Sequence, residues 1–186
     1  MTPHPLLLKQ IDETDYAYLR GLFYDEENSF RWRHRGGSLS PDAMIGNLWQ
    51  NVLYQCLVVD TSENRRMGLI SAFGPDFSNG HASLAVVLSS DSKRIATPLI
   101  ACAAFIDRVF QTWAFRKLYA QVPGWNIDQI HRMGRFAAAE GVLSEHDYLD
   151  GKYWDSHIFA IHRASWEARS LALKPLMARH PVIFGA

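Results

Sequence analysis

Hydrophobic and polar positions follow two periods along this chain, and the two periods predict the order of its helices and strands. Apolar residues spaced three or four apart indicate helices, whereas short apolar or alternating runs indicate strands. The predicted order is β-α-α-β-β-β-α-β-α-β-β. Strands are expected over residues 6–11, 54–59, 67–73, 81–88, 116–122, 141–149 and 152–161.

Four helices are expected between these strands, and three of them carry start signals. Asp12 with Asp15 three residues later resembles a capping pair, and Ser40 followed by proline is a strong helix start. Asn126 is the expected cap of the last of these helices. The longest helix, with one apolar stripe, is predicted over residues 95–113.

The order of elements indicates one α+β domain with a mixed sheet. Asp150-Gly151 between two alternating segments is typical of a hairpin turn, so the last two strands are expected to pair. The fold class is therefore α+β, with a central mixed sheet of six to seven strands and about four helices on both faces. The domain is expected to span residues 1–166, with 167–186 as its C-terminal tail.

Composition excludes several classes of function. The formal net charge is zero, which argues against nucleic acid as a bulk partner, and the longest apolar runs are too short for a membrane span. Cys56 and Cys102 lie in apolar contexts, which fits two reduced thiols and a cytoplasmic location. The histidines and cysteines lack zinc-site spacing, so no metal is expected.

Several strings in the second half of the chain resemble the GNAT (N-acetyltransferase) superfamily. They are Arg116-Lys117-Leu118-Tyr119, Asn126, Gly141-Val142, and Asp150-Gly151-Lys152-Tyr153-Trp154-Asp155, in that order. Their order and spacing are most similar to the ribosomal-protein alanine N-acetyltransferase branch. The resemblance covers about residues 5–166 and implies a GNAT-like fold whose central sheet is splayed. It also implies an acyltransferase that moves an acyl group from a pantetheine thioester to an amine.

The resemblance also implies a donor site for acetyl-CoA or another acyl-CoA. Its pantetheine arm would pair with the backbone at Val86, Val87 and Leu88, and Asn126 would lie near it. The family writes its pyrophosphate loop as Gln/Arg-x-x-Gly-x-Gly/Ala, but this chain has Asp91 and Arg94 at two of those positions. The expected phosphate-binding residues are Ser92, Lys93, Arg94, Ile95, Ala96 and Thr97. Because Arg94 replaces a glycine, an acyl carrier protein or another ester donor is an alternative to coenzyme A.

Catalysis needs a base for the amine proton and an acid for the leaving thiolate. Ser83 stands where that branch often has a glutamate base, and His81 shares its face of the strand, so His81 is the candidate base. The family's usual tyrosine acid aligns with Ala137, which leaves Tyr148 or His146 as candidate acids. Core or hairpin roles are the alternative for both.

The loop between the first two helices is the candidate acceptor site. It contains Glu26, Glu27, Arg31 and Trp32, which suit a polar amine, although a solvated loop is the alternative. The expected acceptor is a small-molecule amine or a peptide N-terminus, and the protein is expected to be a monomer or homodimer. A GNAT-fold binding module without catalysis is the non-enzymatic alternative, because Ser83 and Ala137 depart from the family.

Overall fold

The computed structural model describes residues 5–25, 28, 37–89, 96–128 and 136–185, which form a single mixed sheet with helices on both sides. The sheet has eight strands. They are β1 (Leu6–Lys9), β2 (Val52–Asp60), β3 (Arg65–Asp76), β4 (His81–Leu88), β5 (Lys117–Pro123), β6 (Ala138–Leu149), β7 (Lys152–His162) and β8 (Val182–Gly185).

Five α-helices lie in the described part of the chain. They are α1 (Tyr16–Tyr24), α2 (Pro41–Trp49), α3 (Ala96–Thr112), α4 (Arg163–Arg169) and α5 (Lys174–Arg179). The predicted caps are present: Asp12 and Asp15 form a capping box before α1, and the Ser40 side chain accepts a hydrogen bond from Ala43 N at 3.3 Å. These caps satisfy amide groups that a helix start otherwise leaves unpaired.

The strands lie in the order β6-β7-β5-β4-β3-β2-β1-β8. Most neighbours are antiparallel, but β4 and β5 are parallel, as are β1 and β8. The turn between β6 and β7 uses Asp150 and Gly151, whose φ angles are 53° and 73°. Two positive φ angles in a two-residue turn match the twist of a hairpin, which confirms the predicted turn.

Two hydrophobic clusters divide the helices between the faces of the sheet. On one face α3 packs with Trp166 of α4 against alternate strand residues, including Leu84 and Leu118. On the other face α1 and α2 pack against the remaining positions, including Val87. We call these the α3 face and the α1–α2 face. The α+β fold class and the helices on both faces are confirmed.

The C-terminal segment adds the eighth strand, one more than predicted. After α4 and α5 the chain forms β8, which pairs in parallel with β1 at the sheet edge. Trp166 and Leu173 are buried in the cluster on the α3 face, and Trp166 Nε1 donates to Asp107 Oδ1 at 2.6 Å. Residues 167–185 therefore contribute to the core and to the sheet.

One predicted boundary is wrong. Phe136 and Ala137 were expected to belong to a helix, but Phe136 lies in a turn and β6 already begins at Ala138, not at Gly141. Ala138 pairs with Ala160 of β7, so backbone pairing determines this strand start. The middle of that helix, residues 129–135, lies outside the described residues.

Candidate active site

A gap opens in the sheet between the two parallel strands β4 and β5. β4 and β5 are paired at only three positions, the last of which joins Ser83 to Tyr119. Beyond this pair β4 continues to Leu88 beside β3, while β5 continues beside β7. The two strands therefore separate, as the splayed sheet of the prediction requires, and one side of β4 is left without a strand partner.

The backbone of β4 presents alternate residues to this gap. Ser89 N donates to Met67 O of β3 at 2.8 Å, and antiparallel partners exchange hydrogen bonds at every second position. Val87 is therefore bonded to β3, whereas the N–H and C=O groups of Val86 and Leu88 point into the gap. Val86, Val87 and Leu88 were all expected to offer backbone groups to the donor. Val87 does not, because its backbone groups are bonded to β3.

The buried side chain of Asn28 reaches the end of this gap. Its Nδ2 donates to Leu88 O at 3.3 Å and to Asp25 Oδ2 at 3.2 Å. A carboxamide on the last gap-facing carbonyl demonstrates that this edge accepts amide donors. The amide groups of a pantetheine arm offer the same hydrogen bonds, so the gap fits such an arm.

A cluster of polar side chains lies at the base of the gap on the α1–α2 face. Its members come from five strands because residues level with one another across a sheet share a face. We call it the basal polar cluster, and it comprises Asp76, His81, Lys117, Tyr119, Glu140 and His162.

Lys117 and Glu140 are the centre of this cluster. Lys117 Nζ lies 2.7 Å from Glu140 Oε2, and His162 Nε2 lies 2.9 Å from Glu140 Oε1. The Lys117 side chain is only 9% exposed, so its charge needs this partner. The hydrogen bond with Glu140 raises the pKa of Lys117, and the same bond lowers the pKa of Glu140, so both are charged at neutral pH.

His81 and Tyr119 form the part of the cluster nearest the gap. The His81 ring meets the Tyr119 ring edge-on, with 5.3 Å between centroids, and Lys117 Nζ lies 4.5 Å from the Tyr119 centroid. His81 Nε2 is 3.6 Å from Asp76 Oδ2. A histidine paired with a carboxylate beside an open site has the arrangement that general bases use.

The structure brings some of the predicted catalytic residues together and separates another. His81 and Ser83 both lie on the α1–α2 face at the base of the gap, as predicted. Tyr148 is level with Tyr153 on β7, whereas Tyr119 is level with Ala160, which places Tyr148 roughly 20 Å nearer the hairpin turn. It is 59% exposed and belongs to the opposite face, so it does not share a site with His81.

Most residues predicted for the phosphate loop and the acceptor loop lie outside the described part. These are Ser92, Lys93, Arg94 and Ile95, and likewise Glu26, Glu27, Arg31 and Trp32. Ala96 and Thr97 begin α3, and nothing is described of their side chains. Asn126 ends a short 3₁₀ turn that directly follows β5, so it lies just beyond the open part of the gap.

Sequence reasoning missed five of the six residues of the basal polar cluster. One signal was available in the sequence. Side chains alternate between the faces of β5, so Lys117 and Tyr119 share a face, and parallel pairing with β4 puts His81 on that face as well. Glu140 gave no such signal, because the bulge between Ala139 and Gly141 sets its direction.

Among the described residues, no group of three or more histidine, cysteine, aspartate or glutamate side chains is placed to hold a metal ion. No helix in the same part of the chain is long and apolar enough to cross a bilayer.

No model of a protein family matches this sequence, and no curated protein sequence is similar to it. The structure, in contrast, is similar to spermidine/spermine N-acetyltransferase SpeG from Vibrio cholerae, solved in complex with manganese ions. The TM-score is 0.74 at 18% identity, covering 89% of this chain and 97% of that one.

A second similar structure is spermidine N-acetyltransferase from Vibrio cholerae in complex with CoA and spermine. Its TM-score is 0.72 at 16% identity, over 87% of this chain and 98% of that one. The likeness shows that this chain has the fold of these N-acetyltransferases, which is the GNAT fold that the sequence predicted. The finer resemblance to the ribosomal-protein alanine branch stays a prediction.

Proposed function

We propose that this protein is an N-acyltransferase that moves an acyl group from acyl-CoA to the amine of a small molecule. The observation that carries the proposal is the juxtaposition of two features at one end of the β4–β5 pairing. A gap edged by backbone groups that have no strand partner begins at Ser83 and Tyr119, and a histidine–carboxylate pair lies beside it. The first suits a thioester arm and the second suits amine deprotonation.

The donor is proposed to be acetyl-CoA or another acyl-CoA. The gap-facing groups of Val86 and Leu88 recur at every second residue, which matches an extended arm that carries amides. The similar structure with bound CoA has the same fold, which supports this choice of donor. An acyl carrier protein presents the same pantetheine arm. It is the alternative donor to coenzyme A, because Arg94 stands at a glycine position of the family's phosphate loop.

His81 is proposed to accept the proton of the acceptor amine. It lies two pairs before the last pair of β4 and β5, and Asp76 at 3.6 Å stabilises the imidazolium that forms. Ser83, on the same face, is proposed to hold the amine or a bridging water by a hydrogen bond. The similar structure contains spermine, so polyamines are the first acceptors to test, and a peptide N-terminus is the next.

Two measurements test the function. Coenzyme A should raise the melting temperature of the protein, because a ligand that binds only the native state stabilises it. Release of free thiol from acetyl-CoA should then depend on an added amine. A protein that binds no coenzyme A and releases thiol from no donor would be a GNAT-fold binding module instead.

His81→Ala should reduce kcat by about 100-fold and leave coenzyme A affinity unchanged, as expected when a general base is lost. His157→Ala is the matched control, since His157 lies on β7 three residues from Ala160 and therefore on the other face. Equal turnover in the His81 and His157 variants would remove His81 from the mechanism.

A further inference from the structure

We propose that Tyr119 is the proton donor to the departing thiolate, an inference that rests on the proposed function. Acyl transfer from a thioester needs an acid when the carbon–sulfur bond breaks. The tyrosine that usually serves in this superfamily aligns with Ala137 here, and Tyr148 lies on the opposite face near the hairpin turn. Tyr119, at the base of the gap, takes the role that neither Ala137 nor Tyr148 can fill.

The position of Tyr119 matches the place where the thioester would end. It is the β5 partner of Ser83 in the last pair before β4 and β5 separate. Leu118 is buried on the α3 face, so Tyr119 projects from the α1–α2 face beside His81. The base and the acid therefore lie on neighbouring strands, one on each side of the gap.

The surroundings of Tyr119 stabilise the phenolate that proton donation leaves behind. Lys117 Nζ lies 4.5 Å from the ring centroid, so its positive charge is close to the phenol. The same ammonium group is held in place by Glu140 at 2.7 Å. Because the Lys117 side chain is almost fully buried, its positive charge acts on the phenol with little screening by water.

The proposed step conserves atoms and charge. The amine nitrogen attacks the thioester carbonyl carbon and gives its proton to His81. The carbon–sulfur bond then breaks, its electron pair goes to sulfur, and sulfur takes the phenol proton of Tyr119, which leaves a phenolate. Lys117 returns a proton to the phenolate and regains one from solvent through Glu140 and His162, which is 42% exposed. His81 releases the proton of the amine to solvent, so the cycle gains and loses one proton.

The test compares two acyl donors that differ in the acidity of the leaving thiol. Acetyl-CoA releases an alkyl thiolate that needs a proton, whereas S-phenyl thioacetate releases a stable arenethiolate that does not. Tyr119→Phe should slow transfer from acetyl-CoA by about 100-fold and transfer from S-phenyl thioacetate by less than about 10-fold. His81→Ala should slow both reactions alike, because the amine proton is the same in each.

The ratio of the two losses separates proton donation from damage to the fold, since partial unfolding would lower both rates equally. Equal losses for the two donors in Tyr119→Phe, or no loss for either, would overturn the assignment of Tyr119 while leaving the acyltransferase function intact. Absence of transfer by the wild-type protein from both donors would overturn the function, and the assignment with it.

Discussion

Gly68 lies on β3 where a side chain would collide with the backbone of β4, and its replacement by alanine should destabilise the protein. Gly68 is paired with Leu88, the last residue of the gap strand, and has a φ of 153°. A Cβ atom at this position would lie 2.2 Å from Val87 O and 2.8 Å from Leu88 Cα. Both neighbours are backbone atoms, so the strands themselves would have to move.

The expected cost follows from two contributions. Holding a residue with a side chain at this φ costs about 1–3 kcal/mol, and overpacking against an immobile neighbour costs about another 1–3 kcal/mol. We therefore expect Gly68→Ala to lower the free energy of unfolding by about 3 kcal/mol. With a urea dependence of about 2 kcal/mol per molar, the unfolding midpoint should fall by about 1.5 M.

Equilibrium urea unfolding measures this change, and Gly46→Ala is the matched control. Gly46 lies on the exposed side of α2, where an added Cβ meets no atom within 4 Å. Its replacement should stabilise the protein by about 0.5–1 kcal/mol, because alanine favours the helix. A Gly68→Ala midpoint within experimental error of the wild type would refute the reasoning. Weaker coenzyme A binding by the folded variant is also expected, since Val87 and Leu88 must shift.

Two further substitutions and one measurement of thiol reactivity test other parts of the fold. Asp15→Asn should cost about 2 kcal/mol at pH 7, because this buried carboxylate accepts hydrogen bonds from two cationic side chains. Burial alone would raise the pKa of Asp15, but those bonds lower it, so their stabilisation is present above about pH 4 and lost as pH falls through the lowered pKa. Acid titrations of wild type and variant should therefore converge. Trp166→Phe should cost about 1–2 kcal/mol in urea unfolding, since it removes the bond to Asp107. Burial raises the pKa of Cys56 to about 11 and that of Cys102 to about 12, so both thiols should react with thiol reagents at pH 8 only after unfolding.

The local elements were predictable because their signals are local. The capping pair Asp12 and Asp15, the Ser40 start of α2 and the Asp150-Gly151 turn each lie within a few residues of the structure that they specify. The apolar stripe of α3 and the alternation of β4 likewise repeat over a single element. Together with the resemblance of their order to a known superfamily, they were enough to give the fold class.

The features that the sequence did not reveal depend on contacts between distant segments. β8 is a four-residue strand whose partner, β1, lies at the other end of the chain. Lys117 and Glu140 are 23 positions apart and meet only because β7 lies between their strands and a bulge redirects Glu140. No pattern within one element encodes either contact.

The position of the basal polar cluster has a physical explanation in the way this fold would hold an acyl donor. The gap between β4 and β5 offers main-chain groups to an extended arm, and main-chain groups are present whatever the side chains are. On the proposed function, donor recognition at this edge would therefore not depend on a glutamate at Ser83 or a tyrosine at Ala137. Proton transfer has no such independence, because it requires a titratable group beside the reacting atoms. His81 and Tyr119 are two of the titratable side chains that the described strands place beside the point where β4 and β5 separate. The proposed function accordingly places the proton chemistry at the start of β4 and β5 and donor recognition on the backbone of the gap.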